Sequence, residues 1–242
     1  MKVSGHVHYN VGADGGIVLL DARTGRWYVL NAVGAELWRS LSRGHGLAES
    51  VAVVATRHAG VPQARLHADA HALRAELVRL GLILPKSAPS SPRAPAPHRS
   101  DPVIAAAAPA VAHGAGREIW LRIAAALILL IAVVLVRLPF GRLSRLIRWT
   151  RRWARRPLTG TGADLLATAV VRSAAWFPGR AACLELSLAT VLLAAVRRRR
   201  LDWCLGARPD PYRFHAWVES DGRLVRLPGD ADLGDYVTVL TI

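Results

Sequence analysis

The chain has 242 residues, enough for one large or two small domains with modest cores, and its 52% hydrophobic share excludes a mostly disordered protein. Two cysteines exclude a disulfide-built scaffold and point to a reducing, cytoplasmic setting, and residues 1–20 lack the apolar run of a secretory signal. The net charge of +15 is uneven: residues 1–85 hold nine basic and six acidic residues, whereas residues 142–156 hold seven arginines and no carboxylate.

Residues 1–85 read as one unit. Val3, Val7 and Tyr9 mark an extended stretch, and Asp14-Gly15-Gly16 a turn. Ile17 to Asp21 form a second strand, and Ala22-Arg23-Thr24-Gly25 turns into a third, Arg26 to Leu30. Asn31 caps a helix whose apolar residues Val33, Leu37, Trp38 and Leu41 recur at helical spacing up to Gly44. A second helix is expected over Leu47 to His58. A third starts at Pro62 and carries Leu66, Leu73, Leu77 and Leu80 before Gly81. Three strands followed by three helices make a winged-helix-like module.

Residues 86–116 carry prolines at 89, 92, 95, 97, 102 and 109 among Ser, Ala and His, the composition of a locally stiff linker. Ile123 to Val136 is an unbroken apolar run between Arg122 and Arg137. A spanning helix needs about 20 residues, so a buried or interfacial helix is expected first and a true span second. After Pro139, arginines at 142, 145, 148 and 152 alternate with Leu143, Leu146, Ile147 and Trp153, which makes a basic amphipathic helix. A glycine-containing loop at 160–162 and a helix from Ala163 to Ser173 follow. Pro178-Gly179 then precedes a helix opening at Cys183 that is apolar on nearly every face and closes on Arg197 to Arg200. Strands are expected at Leu201–Leu205, Phe214–Glu219, Leu224–Val225 after an Asp221-Gly222 turn, and Tyr236–Leu240.

A thiol at a helix start gains from the helix dipole and from unpaired amides, which favour the thiolate. An imidazole on a neighbouring strand can hold the proton and return it to a leaving amine. Cys183 and His215 are those two parts, although cysteines and histidines taken singly are more often packing and surface residues. Cys204, between Trp203 and Leu205, reads as an ordinary strand cysteine. His67 and His71 have the spacing of a metal pair but no third ligand, so they read as solvated helix residues.

The sequences around Cys183 and His215 carry a resemblance. Cys183-Leu184-x-x-Ser187-Leu188-Ala189, and then Gly206-Ala207-Arg208-x-Asp210-Pro211-x-x-Phe214-His215-Ala216-Trp217-Val218-Glu219, resemble the transglutaminase-like cysteine protease of lasso-peptide biosynthesis, over residues 117–242. The resemblance implies an α+β, papain-like domain in which Cys183 is the nucleophile and His215 the general base and acid. It implies no cofactor and no metal. The family pattern has an aspartate beyond the hairpin, where this chain reads Val225-Arg226-Leu227. Asp230 is the candidate for that role, since an orienting group is defined by geometry. A Cys–His dyad is the alternative.

Residues 1–85 carry a second resemblance. Val18-Leu19-Leu20-Asp21-x-x-Thr24-Gly25-x-x-Tyr28-x-Leu30-Asn31-x-x-Gly34-x-x-x-Trp38 and Leu77-x-x-x-Gly81-Leu82-Ile83 resemble the PqqD-like recognition element of ribosomal-peptide biosynthesis. There a leader peptide adds as a strand, which here implies Tyr28, Val29 and Leu30 on the edge, with Leu73, Arg74 and Leu77 facing them. The implied partners are a precursor leader and an asparagine-synthetase-like lasso cyclase. The small charge surplus of the module argues against nucleic acid. The whole then reads as a leader peptidase, with a non-catalytic precursor-delivery adaptor and a membrane-attached form of the protease as alternatives. The apolar run and the arginine helix are the reason a membrane surface stays open as a partner.

Overall fold

The structure is a computed structural model and describes residues 1–58, 60–84, 115–177, 181–209, 211–227 and 230–242, with the side chains of 115–117, 231 and 232 left aside. The chain divides into two compact units, Met1–Ala96 and Pro97–Ile242. The expected linker, 86–116, lies outside the described residues except for 115 and 116. Pro178, Gly179 and Asp210 lie outside them as well.

In the first unit, β1 (Lys2–Val3) and β2 (Val7–Val11) are followed by β3 (Ile17–Asp21) and β4 (Arg26–Leu30). Strands β2, β3 and β4 form an antiparallel sheet with β4 on its edge. The β3–β4 turn is built by Asp21, whose carboxylate accepts from the Arg23 N–H at 2.8 Å and the Thr24 hydroxyl at 2.7 Å. Gly25 then takes a φ of 78°, which a side chain would resist. Helix α1 (Ala32–Ser42) starts where expected, with the Asn31 side chain accepting from the Gly34 N–H at 2.9 Å. Helices α2 (Leu47–Arg57) and α3 (Gln63–Arg79) follow, and β5 (Ile83–Leu84) pairs with β1. The extended stretch expected at the start is therefore two strands, because the chain turns at residues 4–6 to leave β1 beside β5. Ile17, Leu19, Trp38, Leu77 and Leu82 fill the main core, all essentially buried.

The second unit opens with α4 (Ala115–Leu135) and α5 (Phe140–Trp153). A two-residue β6 (Arg156–Pro157) leads into α6 (Gly160–Ala174). The loop expected at 160–162 is the first turn of α6, set by the Ala163 N–H donating to the Thr159 carbonyl at 2.9 Å. Helix α7 (Cys183–Val196) gives way to β7 (Arg199–Arg200), which pairs parallel with β6. Arg199 and Arg200 are thus strand residues and not the helix end. Strands β8 (Asp202–Arg208), β9 (Arg213–Ser220), β10 (Arg223–Val225) and β11 (Val237–Thr241) form an antiparallel sheet in the order β10-β9-β8-β11. A 3-10 helix, Asp230–Asp235, precedes β11.

Helix α7 is central because it is apolar all round: one side meets β8 and β9, and others meet α4, α5 and α6. Trp203 on β8 fastens it, its buried indole N–H donating to the Ser187 hydroxyl at 2.9 Å. Phe140 at the start of α5 stacks on the same indole, with ring centroids 6.2 Å apart.

Candidate functional site

Cys183 is the first residue of α7, where free amides and the positive end of the dipole collect. The Glu185 carboxylate accepts the Ala182 N–H at 3.0 Å and ties down this helix end. The Cys183 thiol is half-buried and hydrogen-bonds the His215 imidazole and the main chain at Ala216 and Leu184. Burial alone would push the thiol up. The bond to His215, the amides and the imidazole charge outweigh it, so Cys183 lies below the ordinary thiol value.

His215 sits on β9, and its Nε2 meets Asp230 Oδ1 at 2.7 Å. Nδ1 is the ring nitrogen left for the thiol. The hydrogen bond to Asp230, then that to Cys183, override burial and push the imidazole up to about 9. Asp230 is buried, and its Oδ2 accepts the Leu227 N–H at 2.7 Å. The Asp230 N–H donates back to the Leu227 carbonyl at 3.1 Å. Leu227 stands where the resembled pattern has its aspartate, yet its main chain is what holds the Asp230 carboxylate. Cys183, His215 and Asp230 thus form one hydrogen-bonded line from helix to strand to 3-10 helix.

An aromatic wall holds the imidazole. Trp217 stacks on His215 with planes 14° apart, and Tyr236 tilts against the same ring with centroids at 5.5 Å. The Trp217 indole N–H donates to Glu219 at 2.8 Å. Trp217 can lie flat here because Gly206 is opposite His215: a Cβ on Gly206 would come within 2.5 Å of both the Trp217 ring and the Val237 carbonyl.

In the first unit, Tyr28, Val29 and Leu30 lie on the edge strand β4, half-buried. Tyr28, Leu30 and Leu73 of α3 pack against one cluster, while Arg74 is exposed. Leu77 lies inside that cluster and is 2% exposed, so it supports this face from beneath.

Residues 125–241 match the transglutaminase-like superfamily, and residues 16–83 match coenzyme PQQ synthesis protein D (PqqD). The chain joins a PqqD domain to a transglutaminase-like domain. No curated protein matches it. Among solved structures, TbiB1 in complex with the TbiA(beta) leader peptide is similar at 28% identity, over 34% of this chain and 93% of that chain, with a TM-score of 0.31.

In the transglutaminase-like domain, Trp217, Glu219, Tyr236 and Gly206 were not singled out as site residues by sequence reasoning. The signal for two of them was present: on a strand, 215, 217 and 219 share a face, so Trp217 and Glu219 had to lie beside His215. Gly206 opens the motif that runs to Glu219, but its place opposite His215 is set by strand pairing; Tyr236 comes from a separate segment and carries no local signal. Cys204 is buried on β8, where its sulfur and the Thr241 hydroxyl are 3.7 Å apart, and burial holds its thiol far above the ordinary value. Among the described residues no group of His, Cys, Asp or Glu is placed to hold a metal.

Proposed function

We propose that this protein is a leader peptidase of lasso-peptide maturation: the PqqD domain binds the precursor leader, and the transglutaminase-like domain cleaves the peptide bond at its end. The supporting observation is the line Cys183–His215–Asp230, with a 2.7 Å contact between imidazole and carboxylate and a thiol below its ordinary value. In this reading the Cys183 thiolate attacks the scissile carbonyl while His215 carries the proton. His215 then gives that proton to the leaving amine, and a thioester remains on Cys183. Water activated by the now neutral imidazole releases the leader as an acid. Asp230 holds the ring's orientation and offsets its charge. A partner cyclase of the asparagine-synthetase-like type would take the freed amine.

On the first domain, β4 is an edge strand of the sheet among the described residues, and a leader strand would add to it, with Tyr28, Val29 and Leu30 supplying edge contacts and Leu73 and Arg74 the facing wall. The adaptor reading rested on a missing carboxylate, and the position of Asp230 weakens that ground. Incubating precursor with wild type and with Cys183→Ala tests the peptidase: the variant should bind leader and leave it uncut. Equal leader removal by both would overturn the reading.

A further inference from the structure

We propose that the transglutaminase-like unit docks on an anionic lipid bilayer through the outer faces of α4 and α5 and the arginine cleft beyond them. Helix α4 buries one stripe, Ala125, Leu129 and Ala132, and packs on α6 and α7. Its other side leaves Trp120, Ile123, Leu127, Leu130, Ile131 and Val134 between 45% and 73% exposed. At helical spacing these fall within one arc, so the exposure is a continuous apolar face. The helix is long and apolar enough to cross a membrane, but its packing on the Cys183 helix fastens it to the domain. It is therefore suited to lie in the plane of an interface.

Arg137, Leu138 and Pro139, all exposed, connect α4 to α5. There Arg142, Arg145, Arg148 and Arg152 point outward beside Trp149 and Trp153, whose rings touch at 5.3 Å and which are 50% and 58% exposed. Trp153 also lines a cleft of about 410 Å³ whose other walls are Arg155, Arg156, Arg197, Arg198 and Arg199. The fold holds these cations together against their repulsion: strand pairing sets Arg156 opposite Arg199, and Arg198 takes a φ of 57° that is costly for a side chain. Among the described residues, Arg155, Arg156, Arg198 and Arg199 have no acidic partner. A phosphate-bearing headgroup would supply the missing charge.

The apolar face decides the occupant. A nucleic acid would satisfy the arginines and leave Leu127, Leu130 and Val134 in water. A bilayer takes both, with arginines among the headgroups and tryptophans at the interface where they are enriched.

The test is flotation of the full chain with vesicles of phosphatidylcholine alone or mixed with phosphatidylglycerol, across a salt series. Binding to the mixed vesicles, lost in neutral ones and weakened by salt, is expected. Arg148→Gln/Arg152→Gln/Arg155→Gln should lower partitioning roughly hundredfold, from the attraction of each cation to an anionic surface. Leu127→Gln/Leu130→Gln should lower it at low salt as well; should that variant not fold, the arginine variant and the wild-type salt series decide alone. Absence of flotation, or equal flotation with neutral vesicles, overturns the proposal. So does lipid-free dimerisation that Leu127→Gln/Leu130→Gln abolishes, or preference for a single-stranded oligonucleotide over the mixed vesicles.

Discussion

In the proposed peptidase, Asp230 is the residue on which the reactivity of the Cys183–His215 pair depends. Its hydrogen bond is the largest influence raising His215, and His215 in turn helps lower Cys183. Thiolate and imidazolium therefore coexist between the lowered thiol value and about 9. The sign of the pH dependence follows. Below that window the thiolate is protonated and the nucleophile is lost; above about 9 the imidazolium loses the proton that the leaving amine needs. Asp230→Asn keeps the shape but removes the charge and the acceptor pair. It should bring the alkaline limb of kcat/KM down toward neutral pH and cut the maximum roughly 10²–10⁴-fold. A pH–rate profile unchanged in its alkaline limb would assign Asp230 a packing role only. The Cys183 and His215 positions were legible in the sequence because each sits in a compact local pattern. Asp230 was legible only as a candidate, because its contact with His215 joins residues 15 apart in the chain and leaves no local periodicity.

At the scale of elements, the site depends on how α7 is docked, since Cys183 can reach His215 only if its helix is fixed against β8 and β9. The buried bond from Trp203 to Ser187 is the polar part of that docking. Ser187→Ala would strand the indole N–H in a dry interior, a cost of about 1–3 kcal/mol. Thermal unfolding should show it as a loss of roughly 2–12 °C for a chain of this size, with the positions of the pH limbs kept. A shifted pH profile instead would mean that Ser187 tunes the thiol directly. Elements with local signals were legible in the same way: β3, β4 and α1 fall at their expected residues because alternation, an Asp turn and an Asn cap act over a few positions. The pairs β1–β5 and β6–β7 were not. Each is two residues long and is defined by a partner far along the chain, so no window around it carries the pattern. The first turn of α6 was hidden for another reason: Gly160 and Gly162 mark loops by propensity, and the packing of the rest of the helix overrides them.

For the whole molecule, the proposed joining of a binding unit to a cutting unit would separate affinity from chemistry. In the proposed function, leader contacts on β4 and α3 belong to a different unit from the one that carries the reacting atoms, so they would act equally on bound substrate and transition state. They then set KM and leave kcat alone. In the same reading, covalent fusion would raise the local concentration of captured precursor at the thiol without a new contact. Arg74 is the cleanest place to separate the two terms, because it is exposed on α3 and supports no core residue. Arg74→Glu should raise KM for intact precursor several-fold with kcat unchanged and with the wild-type melting temperature. Free leader added in trans should inhibit wild type competitively, and inhibit Arg74→Glu less. A peptide spanning the cleavage site but lacking most of the leader should be cut with a low kcat/KM that Arg74→Glu does not change further. If Arg74→Glu instead lowered kcat at constant KM, or if the short peptide were cut as efficiently as the precursor, the two units would not divide the work in this way. The first domain would then need a role other than capture of the leader.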